Sequence, residues 1–190
     1  ENTKRYMEEA NPVYGLQSGR QPNIFKDNGG RGMPARTFRD TLTLGSGADR
    51  IDLHYFGRAH TGGDTYVVFP ALGVMHVGDT FPNRDLPIMD KNNGGSGVAF
   101  AATLTRAAAV PGVTTIINGH SPTTTTPADL RTYAAFIRDF VAAVQSAKAA
   151  GRSVDDVVAT WKTPAAYAGY NAPQPARIKA DAEVVWSETK

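Results

Sequence analysis

The sequence predicts an α/β fold, with a mixed sheet and packed helices, and two patterns in its 190 residues support this prediction. Short apolar runs of strand length are separated by turns rich in glycine and proline, at residues 37–44, 50–56, 65–70, 74–77 and 113–118. Longer segments with helical spacing follow them, at residues 98–109, 126–150 and 176–188. No repeat or linker interrupts this order, so a single domain over residues 1–190 is expected.

The first part of the chain predicts one helix, a long loop and a hairpin. Residues 3–9 have helical composition, and Pro12 cannot continue a helix. Residues 11–34 are rich in glycine and proline without a clear period, which predicts a long loop. Residues 37–44 and 50–56 alternate between apolar and polar side chains and are joined by a short turn, so they predict a β-hairpin.

Cap residues and apolar stripes mark the helices of the second half. Ser96 and Thr126 are suited to cap the helices that follow them, and Ser153 with Asp156 resembles a capping box. The long helix carries apolar side chains at helical spacing, which predicts a core-facing stripe of Leu130, Tyr133, Ile137, Val141 and Val144. The last helix is expected to turn three apolar side chains inward: Ile178, Ala182 and Val185.

Composition excludes several classes of protein. The chain is 41% hydrophobic and 20% charged, with no apolar run long enough for a membrane span. Its net charge of +2 comes from interspersed charges, so neither nucleic acid nor an anionic membrane is an expected partner. The absence of cysteine excludes disulfides and thiolate metal ligands. No signal segment is visible, and the compartment stays open between cytoplasm and periplasm.

The strongest chemical signal begins at His60 and continues at Asp79 and His120. His60 opens a glycine-rich turn, Asp79 follows the apolar run at 74–77, and His120 follows the run at 113–118. Imidazole and carboxylate groups that enter loops from strand ends are ligands that zinc takes in proteins. These three residues are therefore the candidate metal ligands.

Three nearby residues are candidates for orienting these ligands. Thr61 and Asp64 are expected to tie the turn at His60 through short side chain to backbone bonds. His76 lies within a strand, so packing or support of a ligand is favoured over metal binding. His54, on an earlier strand, is expected to be a structural histidine.

An H-T-x-G-D turn at His60, a G-D pair at Asp79 and a G-H pair at His120 together resemble the second half of the metallo-β-lactamase superfamily. A glycine-rich loop and a helix between Asp79 and His120 also match that layout. The superfamily's H-x-H-x-D-H motif does not occur in this chain. The resemblance therefore implies an αββα sandwich of which residues 1–190 are the C-terminal portion, without the N-terminal half.

The function that the resemblance implies is zinc-dependent hydrolysis. In the complete protein, two zinc ions would be held by His60 and His120 respectively and bridged by Asp79. The other ligands and the water-activating aspartate would lie upstream, so no catalytic residue is assigned within this chain. A metal-bound hydroxide would attack an ester, thioester, lactone or amide carbonyl of a small-molecule substrate.

Two alternatives stay open. The first is a catalytically incomplete fragment, or one chain of a split or nicked enzyme whose partner is the N-terminal half. The second is a β-lactam hydrolase, although the lack of cysteine argues against the subclasses with a cysteine ligand. A chain without its other half would expose a sheet face, so aggregation or dimerisation is expected for the chain alone.

Overall fold

The computed structural model describes residues 1–9, 13–15, 19–21 and 23–190, which form a five-stranded sheet, a two-stranded pair and a layer of helices. The strands are β1 (Val13–Gly15), β2 (Gly19–Gln21), β3 (Thr41–Leu44), β4 (Ile51–His54), β5 (Tyr66–Phe69), β6 (Val74–Gly78) and β7 (Thr115–Asn118). The helices are α1 (Asn2–Glu9), α2 (Ile24–Asp27), α3 (Gly97–Ala107), α4 (Pro127–Ala149), α5 (Val154–Thr160) and α6 (Pro175–Glu188). The predicted α/β class, with a mixed sheet and packed helices, is confirmed.

The order of strands in the larger sheet is β3-β4-β5-β6-β7. The first three pairings are antiparallel, and β6 pairs with β7 in parallel. A parallel pair needs a crossover, and here the chain from β6 to β7 passes through α3. The C-terminal ends of β6 and β7 therefore meet at one edge of the sheet, where the antiparallel β5 begins.

One face of the sheet packs against the helices and forms the core. Its buried side chains include Tyr66, Val68, Met75, Val77 and Ile116. The stripe predicted for α4 is buried along its whole length, as are the three inward residues predicted for α6, so both predictions are confirmed. In the described part of the chain, no helix has the length and apolarity that crossing a membrane requires.

The opposite face of the sheet is apolar but lies outside this core, and we call it the helix-free face. One row of directly paired residues crosses all five strands: Leu42, Leu53, Val67, His76 and Ile117. The side chains of this row are only partly buried, and Ile117 is 39% exposed. A second apolar row, formed by Phe69 and Val74, lies beside it.

The predicted helix caps are present. The Ser96 hydroxyl accepts the Ala99 amide at the start of α3. Thr126 and Asp129 form a reciprocal capping box on α4. Ser153 and Asp156 do the same on α5, with aspartate in the place usually taken by glutamate. Each cap satisfies amides that the first helical turn leaves without partners.

The region predicted as one long loop contains local structure. Of residues 11–34, the described part includes the antiparallel pair β1 and β2 and the short helix α2. The Asn23 side chain caps α2 by accepting the Phe25 amide at 3.0 Å, a local bond that hydrophobic periodicity does not register. The proposed end of α1 at Pro12 lies outside the described residues. Strands β3 and β4 are also shorter than predicted, because pairing starts only at Thr41.

Helix α6 buries one acid, Asp181, which sequence patterning did not identify as part of the core. Burial raises its pKa from 3.8 to about 8, while Arg177 opposes the shift and Asp85 adds to it. Between these two values, the folded chain keeps a proton that the unfolded chain has lost. The free energy of unfolding therefore falls as the pH rises through this window, and this contribution is constant above it.

We expect Asp181→Asn to flatten this pH dependence, because asparagine does not titrate. The slope that disappears is at most about 1.4 kcal/mol per pH unit, the value for one proton. Urea unfolding at several pH values between about 4 and about 8 measures it. Parallel curves for the parent and the variant would contradict the assignment of this slope to Asp181.

Candidate metal centre

Three loops at one edge of the sheet bring the candidate ligands together. Asp79 directly follows β6, and His120 follows β7 by two residues. His60 precedes β5, which runs antiparallel to β6, so it reaches the same edge. The parallel pairing of β6 and β7 is the feature that places Asp79 beside His120.

The Asp79 carboxylate lies between the two imidazoles. Its Oδ1 is 3.1 Å from Nε2 of His120, and its Oδ2 is 3.7 Å from Nε2 of His60. The His60 side chain is 10% exposed, whereas that of His120 is 70% exposed. The site is therefore closed on the His60 side and open on the His120 side.

Each of these two nitrogen to oxygen distances is close to the separation of two ligand atoms on one zinc ion. Two donors about 2.1 Å from one tetrahedral zinc ion lie about 3.4 Å apart, between the two observed nitrogen to oxygen distances. Within the residues that the structure describes, no three His, Cys, Asp or Glu side chains are gathered closely enough to hold one ion. Each imidazole faces a different oxygen of Asp79, so the described residues bring together one nitrogen and one oxygen on each side of the carboxylate.

His60 is oriented by the segment around Ile88. Its Nδ1 lies 2.7 Å from the Ile88 carbonyl oxygen, and the Asp90 amide donates to the His60 carbonyl at 2.9 Å. A carbonyl can only accept, so Nδ1 carries a proton. Nε2 is the nitrogen that faces Asp79.

The turn at His60 is held by Thr61 and Asp64. The Thr61 amide donates to both carboxylate oxygens of Asp64 at 3.0 Å, and the Thr61 hydroxyl donates to Oδ1 at 2.6 Å. Burial raises the pKa of Asp64, while these bonds and the nearby His60 oppose the rise. Through these contacts Thr61 and Asp64 hold the turn that carries His60.

The loops that carry Asp79 and His120 are bonded to each other. The Gly119 amide donates to the Phe81 carbonyl at 3.3 Å, and the His120 amide donates to the Pro82 carbonyl at 3.0 Å. The buried Asn118 side chain also donates to the Phe81 carbonyl, at 3.1 Å. The sequence did not point to Asn118 in this role; an amide side chain at the end of an apolar run, directly before the G-H pair, is the only signal it offers.

Gly119 is required where these two loops touch. A Cβ at this position would lie 2.6 Å from Oδ1 of Asp79 and 2.7 Å from the backbone of Gly78. We expect Gly119→Ala to displace the two loops, to destabilise the chain by about 1–3 kcal/mol and, with the N-terminal half present, to lower zinc affinity by about 10- to 100-fold. Zinc titration against a competing chelator, together with urea unfolding, measures both effects.

Gly112→Ala is the matched control for this variant. A Cβ at Gly112 meets nothing within 4 Å, although its φ of +77° disfavours alanine. We expect this control to lose stability while its zinc affinity stays at the parent value. Equal zinc affinities for Gly119→Ala and the parent would contradict the role given to this contact.

The other two histidines lie on the sheet, away from the Asp79 carboxylate. Nδ1 of His76 accepts the Gly78 amide at 3.2 Å, so its link to the centre runs through the turn before Asp79. Support of that turn by His76 stays a prediction. The His54 ring stacks on Phe56, with centroids 5.3 Å apart, which is a packing contact.

Two cavities lie beside helix α1 and residues 61–65. Their volumes are about 530 Å³ and 630 Å³, and the larger is lined in part by Thr61, Gly62 and Asn93. Neither is lined by Asp79 or His120. The candidate centre is thus an open surface rather than part of these cavities.

The mixed sheet, the helical layer on one face and the ligand loops at one edge define the metallo-β-lactamase fold, as predicted. No protein-family model matches the chain, and no curated protein matches it in sequence. The likeness to known proteins is therefore one of structure, and it shows the fold.

Solved structures with this fold match a large part of the chain. A metallo-β-lactamase from Pontibacter korlensis superposes with a TM-score of 0.50 at 16% identity, over 60% of this chain and 53% of that one. The stereoselective inverting sec-alkylsulfatase Pisa1 from Pseudomonas sp. gives 0.59 at 13% identity, over 80% and 26%. The DIM-1 metallo-β-lactamase gives 0.50 at 16% identity, over 73% and 63%. The chain thus spans about half the length of the first enzyme and about a quarter of the second.

Proposed function

We propose that this chain forms the C-terminal half of a zinc-dependent hydrolase, in which His60 and His120 each bind one of two zinc ions and Asp79 bridges them. The observation that carries this proposal is the position of the Asp79 carboxylate between two imidazole Nε2 atoms. When bound, zinc lowers the pKa of a water molecule to about 7 and stabilises negative charge on a carbonyl oxygen.

The orientation of His60 supports a cation at this position. Its Nδ1 faces the Ile88 carbonyl at 2.7 Å, so Nε2 is the nitrogen that faces Oδ2 of Asp79, across 3.7 Å. An imidazole nitrogen and a carboxylate oxygen are both atoms that would hold a zinc ion at this point.

The chain's own residues bind and orient rather than react. Thr61 and Asp64 hold the His60 turn, and the bonds between the Asp79 and His120 loops keep carboxylate and imidazole together. The exposed side of His120 is the side from which a small-molecule substrate would approach. The aspartate that activates water would come from the N-terminal half.

The helix-free face supports the N-terminal half as the partner. Its row of paired residues, apolar except for His76, lies outside the core of this chain. An apolar sheet face of this kind is normally packed against a second layer. In an αββα sandwich, that layer is the sheet of the other half.

The proposed substrate is an ester, thioester, lactone or amide, whose carbonyl carbon a hydroxide can attack. One alternative is a catalytically incomplete fragment, or one chain of a split enzyme. It is favoured by the lack, among the described residues, of three ligands around one point. A β-lactam hydrolase is the second alternative, and two of the structural neighbours are named as metallo-β-lactamases.

Zinc content measured together with intact mass tests the proposal. We expect about two zinc ions per protein when a longer species or a companion chain with the H-x-H-x-D-H motif is present. Less than about a tenth of an ion in such a sample would overturn the proposal. Low zinc in a sample that contains only this chain would support the incomplete fragment, because two ligands per ion bind weakly.

A further inference from the structure

Helix α6 places an acid on its buried face among apolar neighbours. Asp181 is 1% exposed and shares this face with Ile178, Ala182 and Val185. A carboxyl group in such surroundings is unfavourable unless it is hydrogen-bonded. A nearby hydrogen-bond donor that needs an acceptor would give a reason for a carboxyl group at position 181.

That donor is the backbone amide of Met89, which donates to Oδ1 of Asp181 at 3.1 Å. Met89 is buried and lies between β6 and α3, outside any helix or strand. A buried amide in such a segment has no strand or helix partner and needs another acceptor, from a turn, a side chain or water. Asp181 supplies it from a distant part of the chain.

The other polar group of the same peptide bond contacts His60. The Ile88 carbonyl accepts the proton on Nδ1 of His60 at 2.7 Å. The Ile88 carbonyl and the Met89 amide belong to one planar, rigid peptide unit. A hydrogen bond that orients the Met89 amide therefore also orients the Ile88 carbonyl. One peptide therefore connects Asp181 to a candidate zinc ligand.

We propose that Asp181 is a positioning residue for His60, which holds the Ile88–Met89 peptide so that Nδ1 of His60 keeps its proton and Nε2 faces Asp79. This inference rests on the proposed function, because the orientation of Nε2 serves zinc binding. Partners of this kind fix the tautomer and direction of a metal-binding histidine, and their loss lowers metal affinity about 10- to 100-fold.

Asparagine and leucine at position 181 separate this role from simple packing. Burial raises the pKa of Asp181 to about 8, so the carboxyl group is neutral at neutral pH and asparagine resembles it closely. Oδ2 of Asp181 has no hydrogen-bond partner among the described residues, so the change there breaks no bond. Leucine has a similar size but provides no acceptor for Met89.

The test is ¹⁵N NMR of the histidine rings in the metal-free 190-residue chain, in the parent and in Asp181→Asn, Asp181→Leu and Val184→Ala. The last variant controls for lost packing on α6, where Val184 is also buried. His76 is an internal reference, because its Nδ1 accepts an amide and its proton is therefore on Nε2.

We expect the parent, Asp181→Asn and Val184→Ala to show His60 protonated at Nδ1, and Asp181→Leu to show a mixture of tautomers with His76 unchanged. A single Nδ1 tautomer in Asp181→Leu would overturn the proposal. If leucine does not fit, Asp181→Ala repeats the test. If neither variant folds, the NMR scalar coupling between the Met89 amide nitrogen and the Asp181 carboxyl carbon is measured in the parent. This coupling crosses the hydrogen bond between them. Its presence supports the proposal, and its absence overturns it.

Zinc titration of the same proteins separates this inference from the proposed function. Weaker zinc binding in Asp181→Leu than in Asp181→Asn supports both. If the parent binds no zinc even with its N-terminal half, the proposed function fails, while the tautomer of His60 still reports whether Asp181 positions the ring.

Discussion

Replacing Asp79 with alanine is expected to lower the zinc affinity of the complete protein by more than about 100-fold, since loss of a ligand costs more than loss of a residue that orients one. The carboxylate is the only group that faces both Nε2 atoms among the described residues. Its removal leaves His60 and His120 without a shared partner, so hydrolysis of any substrate should fall with the zinc content. Plasma emission spectrometry on the protein with its N-terminal half present measures the effect.

Asp155→Ala is the control for this experiment. It also removes one negative charge, but Asp155 lies on α5, is exposed and pairs with Lys179. The control should keep the zinc content of the parent. Equal zinc content in Asp79→Ala and the parent would show that Asp79 is not a ligand and would remove the central argument for the hydrolase.

Placing an aspartate at Ile117 is expected to prevent association of the chain when it is studied without its N-terminal half. The helix-free face should join two copies, because an apolar sheet surface of this extent is unfavourable in water. Ile117 lies at the exposed end of its central row. A buried, unpaired carboxylate there should weaken association at least about tenfold, which corresponds to 1.4 kcal/mol.

Leu72→Asp provides the comparison for this variant. Leu72 is 71% exposed, but it lies in the turn between β5 and β6 rather than on the helix-free face. Sedimentation should show dimers or larger species for the parent and for Leu72→Asp, and mainly monomers for Ile117→Asp. A parent chain that sediments as a monomer at all concentrations would show that the helix-free face does not drive association.

The sequence by itself determined the features that depend on neighbouring residues. The capping boxes at Thr126 and Ser153 and the apolar stripe of α4 follow from spacings of three and four residues along a helix. The positions of His60, Asp79 and His120 at strand ends could also be predicted, because glycine-rich turns bound the apolar runs. Together with the resemblance to metallo-β-lactamases, these features were sufficient for the fold.

Only the tertiary structure decided which distant groups meet. The parallel pairing of β6 with β7 brings Asp79 to within 3.1 Å of His120, and no local pattern specifies strand order. The role of Asp181 depends on a hydrogen bond to Met89 across most of the second half of the chain. Residue spacing along a sequence indicates which face of a helix or strand is buried. The partner of a buried polar group depends instead on how the helices and strands pack, so only the tertiary structure could show that Asp181 accepts the Met89 amide.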